Sequence, residues 1–480
     1  MNLKHSFYLA CILLMMATVP LQAQKVTVSR EIGVRNNYAY DILPNIGDRI
    51  IFYHDKGTEQ QFEIYDSDLR HIQTIIPQFE KRNITPAGVI TMDSTFNFYY
   101  SYRDEDTTYL NVRVYNKNLV LVDTATLSKQ TKVSSLKNNP KFTFSEDKSK
   151  VLIFYPEDRD LHLRLIDNVN RRMIYEFKLT IKDINLRTDF EKLEINNRGE
   201  IFILGSKSSF WGRDNDKGFL LIRILDQSNV IIHRFFPEKD EISELLLDYD
   251  EKNQRLAVAG FVTQGDPTKV NGYFAFSIRP QDIPIEAEIL INRFSSEFLA
   301  EVSGKKPGKV KELSDYQLKD IVIRNDGGVI MVCEMIKEFT RRAQINTPTQ
   351  VGEYFPLRGF VDYYHEDLIL IATFPDGKEH WKKILFKKQF SQDDNAIYSS
   401  YFLFKTPSRV KLIYNDEIKN NNTVSEYVLD PSGNAERRSV LSTEYQNLKL
   451  RFRDAIQTGP STLIVPSEKS WKINMVKIEY

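Results

Sequence analysis

Two places in the chain gather aromatic and arginine side chains between runs that read as strands. One holds Phe210 and Trp211 beside Arg213. The other holds Arg341, Arg342, Tyr354, Phe355, Arg358, Tyr363, Tyr364 and His365. Flat rings supply apolar contact area and guanidinium groups supply directional donors, the mixture that dominates recognition hot spots. The same groups stack on sugar rings. The chemistry implied is recognition of a protein or a glycan, against the plainer reading that these aromatics only pin their own loops.

Other chemistry finds less support. Asp214-Asn215-Asp216-Lys217-Gly218 opens like a calcium loop, but the position due to carry the bidentate glutamate is Leu225, so a solvated turn is expected. None of His54, His71, His162, His233, His365 and His380 sits in HExxH or another local zinc pattern. There is no G-x-S-x-G elbow, phosphate loop or dinucleotide fingerprint, and Gly327-Gly328 lies in a turn. No cofactor or metal is implied. A hydrolase or lyase with carboxylates converging on a central site stays open as the alternative, because such a pair is set by separation in space. Asn83-Ile84-Thr85 and Asn421-Asn422-Thr423 match a glycan-acceptor pattern by chance.

The chain begins with Lys4 followed by an apolar run from Phe7 to Leu21, and Leu21-Gln22-Ala23 offers a cleavage site before Gln24. Residues 1–23 therefore read as a signal peptide and 24–480 as the mature domain, exported to the periplasm or the exterior. Cys11 falls too early in that run for lipidation. No later stretch stays apolar for the ~20 residues a membrane helix needs, so no transmembrane segment is expected in the mature chain. Loss of Lys4 leaves 64 basic against 65 acidic side chains, which gives no reason to expect nucleic acid as a partner. Cys333 ends the apolar run Val329–Val332 and reads as a small buried thiol.

What must position the aromatic and arginine clusters is a repeat. Lys141 to Leu179 reads KFTF, turn, VLIFYP, link, LHLRLI, turn, MIYEFKL: four short strands, A to D, rich in β-branched and aromatic residues. The A–B turn recurs as PNIGD, MDST, SEDKS, NNRG, DEKNQ, NDG, TPS and QTGP, so B strands start at 49, 96, 150, 200, 255, 328, 409 and 461. The C–D turn recurs as IYDSDL, VYNKNL, LIDNVN, ILDQSN and VLDPSG, with weaker matches IRPQD and FPDG. An Asp or Asn after an apolar pair opens a hairpin by capping backbone amides two to four residues on. Most steps are about 50 residues, one four-stranded sheet each. Short helical turns are expected only at Ser296–Val302 and Asp240–Leu245.

Sheets in series protect their faces and edges by stacking into a closed ring. The last unit reads A (Leu448–Ala455), B (Ser461–Val465) and C (Trp471–Tyr480), without a D strand, and Val26–Val34 is a spare strand that can supply it. The chain therefore resembles the β-propellers over essentially its whole mature length, and is similar to exported, uncharacterised propellers of Bacteroidetes-type envelopes. The WD dipeptide is absent, and the kelch double glycine does not recur from unit to unit. The expected fold is all-β, a single closed propeller of eight blades, with seven as the alternative.

In such a fold the B–C and D–A links emerge on one side of the disc. The long links are all of these types: Ser206–Gly218, Val262–Asn271, Ser295–Tyr316, Lys337–Glu366 and Lys388–Asn395. That places the aromatic and arginine clusters together over blades 4 to 6. The expected function is a non-catalytic binding or scaffolding module of the bacterial cell envelope.

Overall fold

The computed structural model describes residues 24–131, 140–182, 184–206, 218–237, 240–266, 268–341, 360–416, 418, 423–442 and 448–480. Its strands form eight antiparallel blades in ring order, a β-propeller. The B strands begin at Arg49, Thr95, Lys150, Ile201, Arg255, Val329, Val410 and Thr462, within a residue of the turn-based expectation. In the A–B turn before Ile201, Asn196 Oδ1 accepts from the amides of Arg198 and Glu200, and the C–D turns follow the same Asx pattern. Asp66 Oδ1 accepts from the amides of Asp68 and Arg70, and Asp430 Oδ1 from those of Ser432 and Asn434.

Position in the blade explains the composition of each strand. B and C strands are sandwiched between neighbouring blades and are nearly continuously buried, as in Ile201–Ser206 and Arg255–Thr263. Outer D strands alternate, as in His71–Ile75. A strands of successive blades abut one another around the axis and line the channel. Eight apolar clusters fill the seams, one per pair of neighbours, from Ile51 with Phe98 between blades 1 and 2 to Phe404 with Leu463 between blades 7 and 8.

The ring closes as expected. Lys25–Val28 pairs antiparallel with Val476–Glu479, and Ile32–Gly33 pairs with Lys472–Ile473. Ile32 and Val34 then join Phe52 and Tyr65 of blade 1 and Ile473 and Met475 of blade 8 in one core.

Four local expectations need correction. Glu241–Asp250 is the A strand of blade 5, not a helical turn: its alternate residues Leu245 and Leu247 pack into the seam with blade 4. The A strand of blade 8 is Ile456–Gly459, later than Leu448–Ala455. The earlier stretch makes one bridge at Leu450 and a 3-10 turn that buries Phe452. Within Lys337–Glu366 the described residues, 337–341 and 360–366, are strand, and so is Gln389–Gln392 within Lys388–Asn395, as set out below. The helix at Ser296–Ser303 is present, capped by the Ser295 hydroxyl and ended by Gly304 at φ +65°. Cys333 is a buried free thiol. The proposed leader lies outside the described residues, and among those described no helix is long and apolar enough to cross a membrane.

Candidate functional site

Blade 6 departs from the repeat. Its B and C strands, Val329–Arg341 and Phe360–Thr373, are 13 and 14 residues long. The A strand accompanies B only as far as Met335, and the D strand reaches C only from Leu368 onward. The six residues Ile336–Arg341 and their partners therefore continue past the sheet as an arm of ~20 Å, at ~3.3 Å per residue. Gln389–Gln392, from the link to blade 7, pairs with Asp362–His365 and makes the arm three-stranded.

Cross-strand register sorts the arm into two sides. Phe339 faces Asp362, Arg341 faces Phe360, Lys337 faces Tyr364, and Tyr364 faces Phe390. One side thus carries Phe339, Phe360, Tyr364, Phe390 and Arg341. Tyr364 packs edge-on to Phe339 at 5.9 Å and against Phe390 at 5.0 Å. Phe339 and Phe360 are 53% and 49% exposed. Arg341 is fixed by two bonds to the buried Asp362 carboxylate, at 2.5 and 2.7 Å, and Gln392 donates to the same group.

Of the residues singled out in the sequence, Arg341 and Tyr364 share that side. Tyr363 lies on the other, with its hydroxyl 3.4 Å from Asn395 Oδ1. His365 is buried rather than displayed, its Nδ1 3.3 Å from Glu334 Oε2. Phe210, Trp211, Arg213, Arg342, Tyr354, Phe355 and Arg358 lie outside the described residues, as does Asp214–Lys217. Phe339, Phe360 and Phe390 were missed. Their signal was the alternation at 337, 339, 341 and 360, 362, 364, hidden by reading the segment as loop.

Beneath the arm lies a buried polar cluster. Lys387 Nζ donates to Glu334 Oε1 at 2.7 Å, Gln389 Oε1 at 2.8 Å and the His365 carbonyl at 3.0 Å. Ser400 Oγ donates to Glu334 Oε2 at 2.6 Å. Burial opposes the Glu334 charge, but the Lys387 ammonium and His365 outweigh it and hold the carboxyl at about 2. Gln389 Nε2 reaches the carbonyls of Ser400 and Asn415, so the cluster ties the base of the arm to blade 7.

The channel holds the second constellation. Glu194 on blade 4 is pushed up to about 7, chiefly by burial and also by Asp248, against the pull of Lys192 and of Lys405 from blade 7. Burial likewise raises Glu244 to about 7, although the Leu318 amide donates to it. Between blades 6 and 8 the wall opens into a cavity of about 430 Å³ lined by Lys319, Asp320, Tyr401, Lys405 and Arg453. Carboxyls that keep a proton near neutrality are suited to acid–base work. Among the described residues no group of three or more His, Cys, Asp or Glu is placed to hold a metal.

No protein-family model matches the sequence, and no curated protein matches it. Among solved structures, the Dos1 propeller is 9% identical with a TM-score of 0.45, covering 94% of each chain. The polysaccharide lyase Uly1 is 9% identical at TM-score 0.41, over 82% of this chain and 90% of that one. A Myceliophteria thermophila Cps50 (Swd1) propeller domain is 9% identical at 0.34, over 82% and 99%. Likeness this distant carries no functional argument, and the fold rests on the strand pairing itself.

Proposed function

We propose that the protein is an exported binding or scaffolding propeller of the bacterial cell envelope, which grips a protein partner with the arm of blade 6. The observation that carries this reading is the arm's aromatic side. Phe339 and Phe360 stand half exposed beside an arginine whose direction is fixed by a buried aspartate. Rigid aromatic anchors next to an oriented guanidinium are the usual centre of a binding hot spot. A braced hairpin presents them with little entropy left to lose on association.

The test is recovery of partners from cells with the full-length protein. F339A/F360A on the arm, and separately W211A/R342A/Y354A, should abolish recovery of a specific protein while leaving thermal unfolding unchanged. Unchanged recovery with a folded variant would refute the reading. Recovery of glycan alone would replace the protein partner with a saccharide.

A second reading, a hydrolase or lyase working in the channel, is supported by the raised pKa of Glu194 and Glu244. Turnover of a polysaccharide panel, abolished by E194Q, would favour it over the first.

A further inference from the structure

At the seam where the ring closes there is a cleft of about 460 Å³, lined by Tyr38, Tyr40 and Asp41 of blade 1 and by Arg451, Asp454, Glu468 and Trp471 of blade 8. It opens on the same side of the disc as the arm, because Trp471 sits in a B–C turn and Tyr38 and Arg451 in D–A links. It lies across the ring from blades 4 to 6, and its volume falls in the range of small-molecule sites.

Two aromatic walls are displayed at a cost. Tyr38 is 85% exposed, and an edge of its ring packs against Gly57, where a Cβ would come within 2.6 Å of it. Trp471 is 64% exposed and has φ +64°, next to Ser470 at φ +53°. Both fill the two-residue turn between Lys469 and Lys472. A turn with two left-handed residues prefers Asn-Gly, so Trp is unfavourable there both for the backbone and for solvation. Backbone strain of this kind clusters at functional sites.

The floor between the walls is polar and preorganised. Arg451 donates to the Tyr40 hydroxyl at 2.6 Å and is paired with both Glu468 and Asp454. Its Nε is buried and finds no hydrogen-bond partner among the described residues. The Tyr40 ring is stacked on Phe52 at 5.5 Å, which fixes the hydroxyl. Asp41 adds a third carboxyl, raised by burial and by the nearby Asp454. Three carboxyls against one guanidinium leave the floor acidic.

The geometry points to a binding site for a neutral pyranose sugar, the end or a single residue of an uncharged glycan. Aromatic faces take the apolar C–H faces of the ring, while the carboxylates, Tyr40 hydroxyl and Arg451 take its hydroxyls. The acidic floor turns away uronic acids and sulfated sugars. Because the segment Val34–Ile42 forms one wall, a bound sugar also holds the closing strand in place, and ligand should stabilise the folded ring.

The test uses the full-length protein and tryptophan fluorescence. The probes are neutral oligosaccharides of glucose, galactose, mannose and N-acetylglucosamine, with oligogalacturonate as the acidic control. At least one neutral probe should give a saturable change and raise the melting temperature, and oligogalacturonate should give neither. Affinity, measured by calorimetry, should fall at least tenfold in Y38A and in W471G. The glycine variant should melt no lower than the parent, since it relieves the left-handed turn. The proposal is overturned if no neutral probe saturates, if oligogalacturonate binds as well as the neutral sugars, or if affinity survives in both variants. None of these outcomes bears on the arm of blade 6, whose partner recovery is scored separately.

Discussion

Replacing Lys387 by methionine tests how the arm is anchored. Both partners of the Glu334–Lys387 pair are fully buried, and the ammonium makes three of the cluster's hydrogen bonds. Methionine fills similar volume but leaves Glu334 with the Ser400 hydroxyl and the His365 ring. Removing one member of a buried pair costs about 3–5 kcal/mol. Replacing both, as in E334L/K387M, should cost less than the single change, because no buried charge is orphaned. The sign of the pH dependence gives a second check. In the parent, Glu334 is held at about 2 against an ordinary 4.5. Its contribution of roughly 3 kcal/mol is therefore complete above pH 4.5 and disappears as pH falls through 2. In K387M burial is opposed only by His365 and the Ser400 hydroxyl, so the Glu334 pKa rises, and acid neutralises the orphaned charge and relieves the damage. Urea unfolding at pH 7 and at pH 4 should show the gap between parent and variant narrowing in acid. A gap under 1 kcal/mol at pH 7, or one that does not change with pH, would refute the assignment.

Three further outcomes follow from the same structure. Glu63 is held at about 2 by hydrogen bonds from His54, Tyr65 and Arg30 against the effect of burial, so E63Q should destabilise at pH 7 by about 2–3 kcal/mol and by much less at pH 2. Glu194 is shifted the other way, to about 7. Its contribution is full below pH 4.5 and lost as pH rises through 7, so E194Q should gain up to about 3 kcal/mol over the parent at pH 8 and nothing at pH 4. Ile32→Ala, in the closing strand, should cost about 2–4 kcal/mol. It should also speed hydrogen exchange in Lys472–Glu479 ahead of other C strands, and uniform exchange would contradict closure by this strand.

What the sequence made legible was local. An Asx turn declares itself within five residues, and its side chain caps amides two and four positions on, as at Asp66 and Asp430. The eight A–B turns set the blade count, and a missing fourth strand points to Val26–Val34. Pairings between distant segments carried no comparable mark. Glu286–Glu288 leaves blade 5 to pair in parallel with the outer strand of blade 4, and Lys269–Val270 pairs with Leu313–Ser314. The arm falls within a segment expected to be a long B–C link, although the alternation at 337, 339, 341 and 360, 362, 364 is the pattern of a two-sided strand. His365 shows the limit from the other side. Its neighbours Tyr363 and Tyr364 suggest a surface, yet at the base of the arm its ring is buried against Glu334. The seam cleft could not be read at all, since Tyr40 and Arg451 are 411 residues apart.

The aromatic side of the blade 6 arm is the proposed docking surface for a protein partner. A photoreactive amino acid at Phe339, compared with one at Val169 on the opposite side of the disc, tests it most directly in intact cells. A discrete protein adduct is expected from position 339 that is missing from position 169 and is lost when F360A is added. Equal adducts from both positions, or none from 339 in a folded and exported protein, would contradict it.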